Sequence, residues 1–474
     1  MSAPPPALEL SGPPRHLHLL GIGGTGMSAI AEVLVAMGHV VSGSDSADSA
    51  VLGRLRSIGV DALVGHDADH VTSPRLGPID AVGCSTAIGA SNPELVAARA
   101  AGIPVHHRFD LLAAIGATRR VVSISGTHGK TTTATLTAVA LAAAGFDPGF
   151  IIGGDVGGTG VGSGSRWTDS GWFVLEADES DSTFLAAPRV AAVVTNLEAD
   201  HLDHHGSYEA LVDAFVRFVR HTDGPVVLCA DDAPALALAP HAARPVTYGT
   251  SGSADYRIVD IERRADGSSW TVRHGEDARR VTVDGPGLHL VMNATAAFAV
   301  AVELGAEPSR VARGLASYPG VGRRFERRGE AAGVTFIDDY AHLPAEVRVV
   351  LDAARRGGWR RIVAVFQPHG FSRTVANAAE FGRALTGADL VLVTDVYPAR
   401  EQPVPGVTGQ LIADSVTAAG VEVGLPVPVS YEADRAALVE HLVAALGPGD
   451  LCLTLGAGDI TSLPDDVLAA LERS

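Results

Sequence analysis

The chain has 474 residues, with 36 basic and 54 acidic side chains and a formal charge of −18. Its 46% hydrophobic and 19% charged residues exclude a disordered chain, and its length allows about two to four domains with cores of their own. The acidic balance without a basic block argues against a nucleic-acid partner, and no apolar run approaches the ~18 residues of a membrane span, so no membrane insertion is expected.

Strand–turn–helix blocks restart three times. The first opens with an apolar strand at His16–Leu20 that runs into GIGGTG at Gly21–Gly26. An alanine-rich helix, Met27–Met37, follows and stops at Gly38; a second strand, His39–Ser42, ends near Asp45. Alternation continues through Ala81–Ile88 to a helix around Asp110–Ile115. The second block begins with the β-branched strand Arg120–Ser125, turns through Gly126–Lys130 and enters a helix at Thr131–Ala144. Strands are predicted at Trp172–Ala177, Val190–Thr195 and Val226–Ala230, with a helix near Tyr208–Val219. Residues 254–284 alternate in short stretches broken by Asp-Gly and Gly-Glu, which predicts an antiparallel hairpin insertion. A helical segment, Leu288–Leu304, closes the block. The third block starts near Gly322 and runs strand Val334–Ile337, helix Ala345–Arg355, strand Ile362–Phe366, helix Ala376–Leu385, strand Leu390–Thr394, helix Asp434–Ala445 and strand Leu451–Leu455. The repeated alternation predicts parallel sheets covered on both faces, with boundaries near residues 117 and 321.

Cys84, Cys229 and Cys452 are too far apart for a metal knuckle or a disulfide framework. The first residues have neither the basic nor the apolar region of a secretory signal, so a cytoplasmic location is expected.

Two glycine-rich turns carry the chemistry. GIGGTG matches G-x-G-x-x-G between a strand and a helix, with Asp45 placed where an acid would meet a ribose. Such a turn brings backbone N–H groups to a diphosphate, either of a nicotinamide dinucleotide or of a UDP-sugar. The second turn, GTHGKTT at 126–132, is a shortened phosphate loop. Of the 36 basic residues, the only lysine is Lys130, inside this loop. Lys is a compact point charge that Arg does not replace, so its survival here points to phosphate chemistry. Gly126 and Gly129 permit close backbone approach, Lys130 neutralises phosphate oxygens and Thr131 can ligate Mg²⁺.

Acids and histidines follow the predicted strand ends, where ligands sit in doubly wound sheets. Glu176, Asp178, Glu179 and Asp181 follow one strand; Glu198, Asp200, His201 and Asp203 follow another. Glu176 is positioned to hold a phosphate-bridging Mg²⁺, and His201 is a second possible metal ligand. In the third block Asp338–His342, Gln367–Arg373 and Asp395–Glu401 each follow a strand. Their convergence predicts a polar cleft in which Arg recognises a carboxylate or phosphoryl group.

Together these stretches resemble the Mur ligase family. The matching segments are GIGGTGMS, GTHGKTTT, EADESD, TNLEADHLD, GLHLVMNATAA, GVGRRFE, DDYAHLP, FQPHGFSRT and DVYPAREQP, in family order across residues 21–402. The resemblance implies an α/β chain of three domains: a Rossmann-like UDP-sugar-binding domain (1–117), a central P-loop ATPase-type parallel sheet with a small antiparallel insertion (118–321) and a Rossmann-like amino-acid-binding domain (322–474). It implies ATP-dependent ligation of L-alanine to the carboxylate of UDP-N-acetylmuramic acid in peptidoglycan synthesis, with ATP and Mg²⁺ required, in a monomer or weak homodimer. Gly23, Gly24, Thr25, Gly26, Met27, Ser28, Asp45, Ser85 and Thr86 would bind the UDP-sugar. Gly126, Thr127, His128, Gly129, Lys130, Thr131, Thr132, His289, Asn293, Arg324 and Asp339 would bind ATP, with His289 and Asn293 facing the adenine. Thr131, Glu176 and His201 would hold metal. Tyr340, His342 and Arg373 would receive the amino acid, and Lys130, His201, His342 and Arg373 would be catalytic.

The chain departs from the family pattern at Leu343, where His is common, at Phe109-Asp110, and in the glycine stretch 157–164, which lacks an Asn. The carbamylated lysine that bridges metals in some relatives has no counterpart here. Rival readings are a recycling ligase that takes an intact tripeptide, an NAD-dependent oxidoreductase, which leaves Lys130 unexplained, and an inactive nucleotide sensor.

Overall fold

The computed structural model describes residues 7–473 except 86, 155–163, 182, 264–266, 319, 400, 423 and 425, and the side chains of all of these but 181, 183 and 203. The chain divides into two compact units, one of residues 1–260, 270–281 and 292–319, the other of residues 261–269, 282–291 and 320–474.

The first unit begins with a five-stranded parallel sheet, in the order Asp61–Val64, Val40–Asp45, His16–Leu20, Ala81–Cys84, Val105–His107. His16–Leu20 is wholly buried because helices cover both faces of its sheet. The strand order reverses between His16–Leu20 and Ala81–Cys84, and a doubly wound sheet binds ligands beyond the strand ends at such a point. Gly21 and Ser85 stand there. The helix after the turn is Thr25–Ala36, two residues earlier than predicted at its start, because Gly24 already caps it.

The second sheet has ten strands. Its parallel centre runs Arg244–Gly249, Pro225–Cys229, Ala191–Val194, Arg120–Ser125, Trp172–Glu176, Gly149–Ile151, with Ser165–Arg166 antiparallel at one edge. Tyr256–Arg263, Gly267–His274 and Asp277–Asp284 extend the other edge. Two residues join the last two strands, a link too short for a parallel crossover, so this pair is the predicted antiparallel hairpin. A single hydrophobic core joins Leu17, Leu34, Leu111 and Ile115 to Val121, Ile151, Phe173 and Ala187, so packing continues across residue 117.

The second unit holds a six-stranded sheet in the order Glu326–Ala331, Val334–Asp339, Asp450–Leu455, Arg361–Phe366, Leu390–Val393, Val429–Tyr431; all neighbours are parallel except the first pair. Four differences from the predicted elements bear on the site. Val334–Asp339 continues two residues further, so Asp338 and Asp339 lie inside the strand rather than after it. The helix Phe371–Leu385 starts five residues early, which puts Arg373 in its first turn. The edge strand Glu326–Ala331 was illegible because its sequence, ERRGEA, carries no apolar alternation. The helix Gln410–Glu422, also unpredicted, buries Ile412, Ala413, Val416 and Ala419 at helical spacing, a stripe visible in the sequence.

Candidate active site

The strand Arg120–Ser125 delivers the phosphate loop and the helix Lys130–Ala143 receives it. Gly126 has a φ of +128°, and a Cβ there would collide with Thr195. Gly129 has a φ of +80° and lies against the Asn293 amide, 2.7 Å from where a Cβ would stand. No other residue type fits either position without strain. The end of the adjoining strand pins the loop. His128 N donates to Asn196 Oδ1 (2.8 Å), while Asn196 Nδ2 (3.1 Å) and Thr195 Oγ1 (2.6 Å) donate to His128 O. Thr127 N donates to Asn196 O (3.2 Å), and the Thr127 hydroxyl accepts from Glu198 N (2.8 Å). Thr132, like Thr127 and Thr131, is buried.

Lys130 is 13% exposed, and its ammonium donates to Gly126 O (2.8 Å), Thr127 O (3.2 Å) and Glu179 Oε1 (2.9 Å). Burial alone would lower its pKa, but the charges of Glu179, Asp178 and Glu176 outweigh burial and raise it. Thr131 Oγ1 donates to Glu176 Oε1 (3.0 Å), and Gly153 N donates to Glu176 Oε2 (2.6 Å). Burial raises the Glu176 and Glu179 carboxyls against the pull of Lys130. Burial also opposes the Asp178 charge, yet Lys130 and the Ser180 N–H prevail and lower its pKa.

Asp178, Glu179 and His201 offer ligand atoms that all lie within 4.8 Å of one another. Glu179 Oε2 is buried and has no hydrogen-bond partner. Carboxylate oxygens with one imidazole, beside the Thr131–Glu176 pair, form a donor set that fits Mg²⁺. His201 adopts a left-handed backbone (φ +53°) at the start of the short helix Leu202–His205 and lies beside Asp200 (3.4 Å). The structure thus groups His201 with Asp178 and Glu179, and Thr131 with Glu176.

At the N-terminal turn, Asp45 Oδ2 accepts from Gly23 N (2.9 Å), so this carboxylate braces the turn. A Cβ on Gly26 would approach Arg108 Nη1 to 2.9 Å, which puts a guanidinium at the mouth of the turn. Thr25 is exposed, whereas Met27 and Ser28 are buried, the former in the core. The Ser28 hydroxyl donates to Thr25 O (3.1 Å). Ser85 lies beside Gly21, with its hydroxyl 3.7 Å from where a Cβ would stand. Thr86 and residues 157–163 lie outside the described residues.

In the second unit, Asp338 is wholly buried and takes structural bonds from Thr454 (2.6 Å), Thr461 (2.7 Å) and Arg323 (3.3 Å). Asp339 accepts from Phe325 N and Ala341 N, both at 2.8 Å; burial raises its carboxyl to about 6, with the Arg324 charge opposing. The Arg324 and Arg323 guanidinium carbons lie 5.1 and 4.9 Å from the Tyr340 ring centroid. Rings then follow in series: Tyr340 to His342 (5.2 Å), His342 to His369 (5.6 Å) and His369 to Tyr397 (5.5 Å). Arg373 Nη1 donates to His369 Nδ1 (3.3 Å), and burial together with the His342 and Arg373 charges lowers His369 to about 4. His289 is partly buried; burial and the Arg356 charge lower it to about 4. His289 and Asn293 stand about one turn apart on the helix Leu288–Glu303, with the Asn293 amide against Gly129 of the phosphate loop.

Three family models match in order: the Mur ligase family catalytic domain (residues 16–120), the Mur ligase middle domain (124–301) and the Mur ligase glutamate ligase domain (323–458). A UDP-N-acetylmuramate–L-alanine ligase of Kineococcus radiotolerans is 50% identical over 466 residues, covering 96% of both chains. The chain belongs to the Mur ligase family. Among solved structures, the UDP-N-acetylmuramate–alanine ligase of Thermotoga maritima matches with a TM-score of 0.82 at 28% identity, over 97% of this chain and 99% of that one. A murein peptide ligase of Psychrobacter arcticus covers the same shares with a TM-score of 0.69 at 25% identity.

Sequence reading of this Mur ligase passed over four residues. Thr195 and Asn196 hold the phosphate loop, and only strand pairing brings them to it. Arg108 reaches Gly26 from the neighbouring helix Arg108–Gly116. His369 stood in a quoted motif, but its place between His342 and Tyr397 depends on three separate strand ends.

Proposed function

We propose that this Mur ligase is a UDP-N-acetylmuramate–L-alanine ligase that uses ATP and Mg²⁺. Residues 1–117 hold the UDP-sugar, 118–321 the nucleotide and 322–474 the amino acid. The observation that carries this reading is the only lysine of the chain, seated in a phosphate loop between three buried or half-buried acids, beside the Thr131–Glu176 pair.

A carboxylate is a poor acyl donor at neutral pH. Transfer of the γ-phosphoryl group to a lactyl carboxylate oxygen releases ADP and forms an acyl phosphate. The neutral amine of L-alanine then attacks the carbonyl carbon, and phosphate leaves as the amide forms. Phosphoryl transfer demands mainly positioning and charge neutralisation. Lys130 exchanges its Glu179 and carbonyl partners for β- and γ-phosphate oxygens. When bound between Glu176, Thr131, His201 and their acidic neighbours, Mg²⁺ supplies further neutralisation of the phosphate charge. In the amino-acid domain, His342 Nδ1–H donates to Tyr340 O (3.1 Å), which leaves Nε2 free to take the proton that the alanine ammonium must lose. Arg373 suits the amino-acid carboxylate. The N-terminal turn binds the UDP diphosphate through backbone N–H groups, with Arg108 as counter-charge. A cytoplasmic, monomeric or weakly dimeric enzyme fits these substrates. Among the described residues no helix is long and apolar enough to cross a membrane.

Phosphate release with UDP-N-acetylmuramic acid and ATP tests the reading. Release that depends on L-alanine supports it. Release that depends on the tripeptide L-Ala-γ-D-Glu-diaminopimelate, and not on L-alanine, replaces it with the recycling activity.

A further inference from the structure

The N-terminal sheet contains a polar cluster that the nucleotide chemistry does not use. Glu94, on the helix Pro93–Ala100, is fully buried, as is His18. Glu94 Oε2 accepts from His18 Nε2 and from Ser44 Oγ, both at 2.8 Å; Oε1 accepts from His70 Nδ1 (3.0 Å) and Asp67 N (3.1 Å). His66 Nδ1 lies a further 3.4 Å from Oε1, so five polar groups, among them the Asp67 N–H and the Ser44 hydroxyl as donors, crowd the two oxygens and favour the ionised carboxylate. Burial opposes that charge, but the bonds from His18, Ser44 and His70 outweigh it and hold the carboxyl at about 2.

The direction of every other bond in the cluster follows. His18 Nε2–H donates to Glu94. His18 Nδ1 lies 2.8 Å from Ser42 Oγ, Ser42 Oγ lies 2.8 Å from His16 Nε2, and His16 Nδ1 lies 2.9 Å from Gly77 O. Both ends of this chain, a carboxylate and a carbonyl, can only accept. Four bonds need four protons, whereas two neutral imidazoles and one hydroxyl carry three. One of the two imidazoles must be an imidazolium.

We infer that Glu94 is a positioning residue: with His16, Ser42 and His18 it stores one extra proton inside the sheet, and the resulting ion pair fixes the strand that carries the N-terminal glycine turn. Ser44 O accepts from Gly21 N (2.9 Å) and Ile22 N (3.1 Å), so the turn hangs from the residue whose hydroxyl Glu94 grips. The other titratable groups around the relay are His66, 2.9 Å from Ser44 Oγ and 3.4 Å from Glu94 Oε1, His70, and Asp80, whose carboxylate accepts from His16 N (2.7 Å). Asp61, Asp69 and Arg75 line a 150 Å³ hollow beside Ser42 and His70.

The stored proton makes stability depend on pH. A folded chain that holds one proton more than the unfolded chain loses stability as pH rises, its unfolding constant growing up to ~10-fold per pH unit. His16→Phe leaves Ser42 and a neutral His18 with the two protons that the two remaining bonds need. The full chain is unfolded in urea from pH 6.5 to 9.5; the wild type should lose stability with this slope and His16→Phe should not. Identical slopes overturn the inference. Should His16→Phe fail to fold, ring ¹⁵N spectra of the histidine-labelled wild type decide. One histidine protonated on both ring nitrogens at pH 8 supports the inference, and neutral rings throughout refute it. A third readout rests on the proposed function. Glu94→Gln should raise KM for UDP-N-acetylmuramic acid ~10-fold with kcat kept, as expected when a buried charged hydrogen bond that only positions the turn is lost. An unchanged KM with a confirmed imidazolium would remove the link to the turn and leave the proton count standing.

Discussion

The two glycine turns of the first unit share a plan, a buried parallel strand running through glycines into a helix, yet they are fastened and charged by different means. The phosphate loop carries its own cation and is surrounded by acids, and its backbone is fastened by the Thr195 and Asn196 side chains. The N-terminal turn carries no charged side chain. It is braced by the Asp45 carboxylate and hung from Ser44 O, and a cation, Arg108, reaches it from another helix. A loop that must handle the concentrated charge of β- and γ-phosphates during transfer needs a mobile point charge. A turn that only holds a diphosphate still can rely on backbone N–H groups and the helix dipole.

The strongest way to break this contrast is Lys130→Ala. Loss of one preorganised charge donor typically costs ~10²–10³ in rate, and ligation should fall at least that far while the melting temperature holds. Turnover near the wild-type value in a phosphate-release assay would end the assignment. Lys130→Arg should rescue little, since a planar guanidinium does not replace an ammonium that bonds three oxygens around one point.

Gly129→Ala should come next. Its positive φ and the Asn293 amide leave no room for a Cβ, so nucleotide affinity should drop by about tenfold or more, the scale of a backbone strain of 1–3 kcal/mol. UDP-sugar affinity should not move. Calorimetric titration with each ligand separates the two effects, and equal losses for both would show that the turns are not independent.

Asp45→Ala is the mirror experiment. Without its brace on Gly23 N the N-terminal turn should lose about tenfold in UDP-sugar affinity, with the nucleotide unaffected. Gly26→Ala should be milder, because the side chain it meets, Arg108, is flexible and can yield; a few-fold rise in KM for the UDP-sugar is expected.

The smallest effect concerns pH in the second unit. His369, lowered to about 4, is disfavoured as a cation in the folded chain. Its contribution is whole above ~6.5 and is lost as pH falls toward 4, because only the unfolded histidine gains a proton in that window. His369→Gln should flatten the acid limb of a stability–pH curve. An unchanged limb would mean that His369 protonates as freely folded as unfolded.

Most parallel strands were legible because their apolar runs are short, β-branched and bounded by glycine. The hairpin insertion was legible from its turn dipeptides. Boundaries moved where capping or strand pairing extended an element: Gly24 started a helix before its apolar stripe, and Asp338 and Asp339 were drawn into a strand by pairing with Thr454 and Leu455. The polar edge strand Glu326–Ala331 showed no pattern because one neighbour and solvent, rather than a core, define it.

Lys130, the two glycine turns, Glu176 and His201 could be named from residues and spacing alone, because a phosphate site must combine flexible backbone, a point charge and hard ligands within one turn of chain. The order of the strands lay beyond sequence. That order decided that Thr195 and Asn196 fasten the loop and that Asp178 and Glu179 join His201. It also closed the His16–Ser42–His18–Glu94 chain, whose members are spread over 79 positions, counting both ends from 16 to 94. Hydrogen-bond direction is a property of assembled neighbours, and a proton count exists only once every donor has met its acceptor.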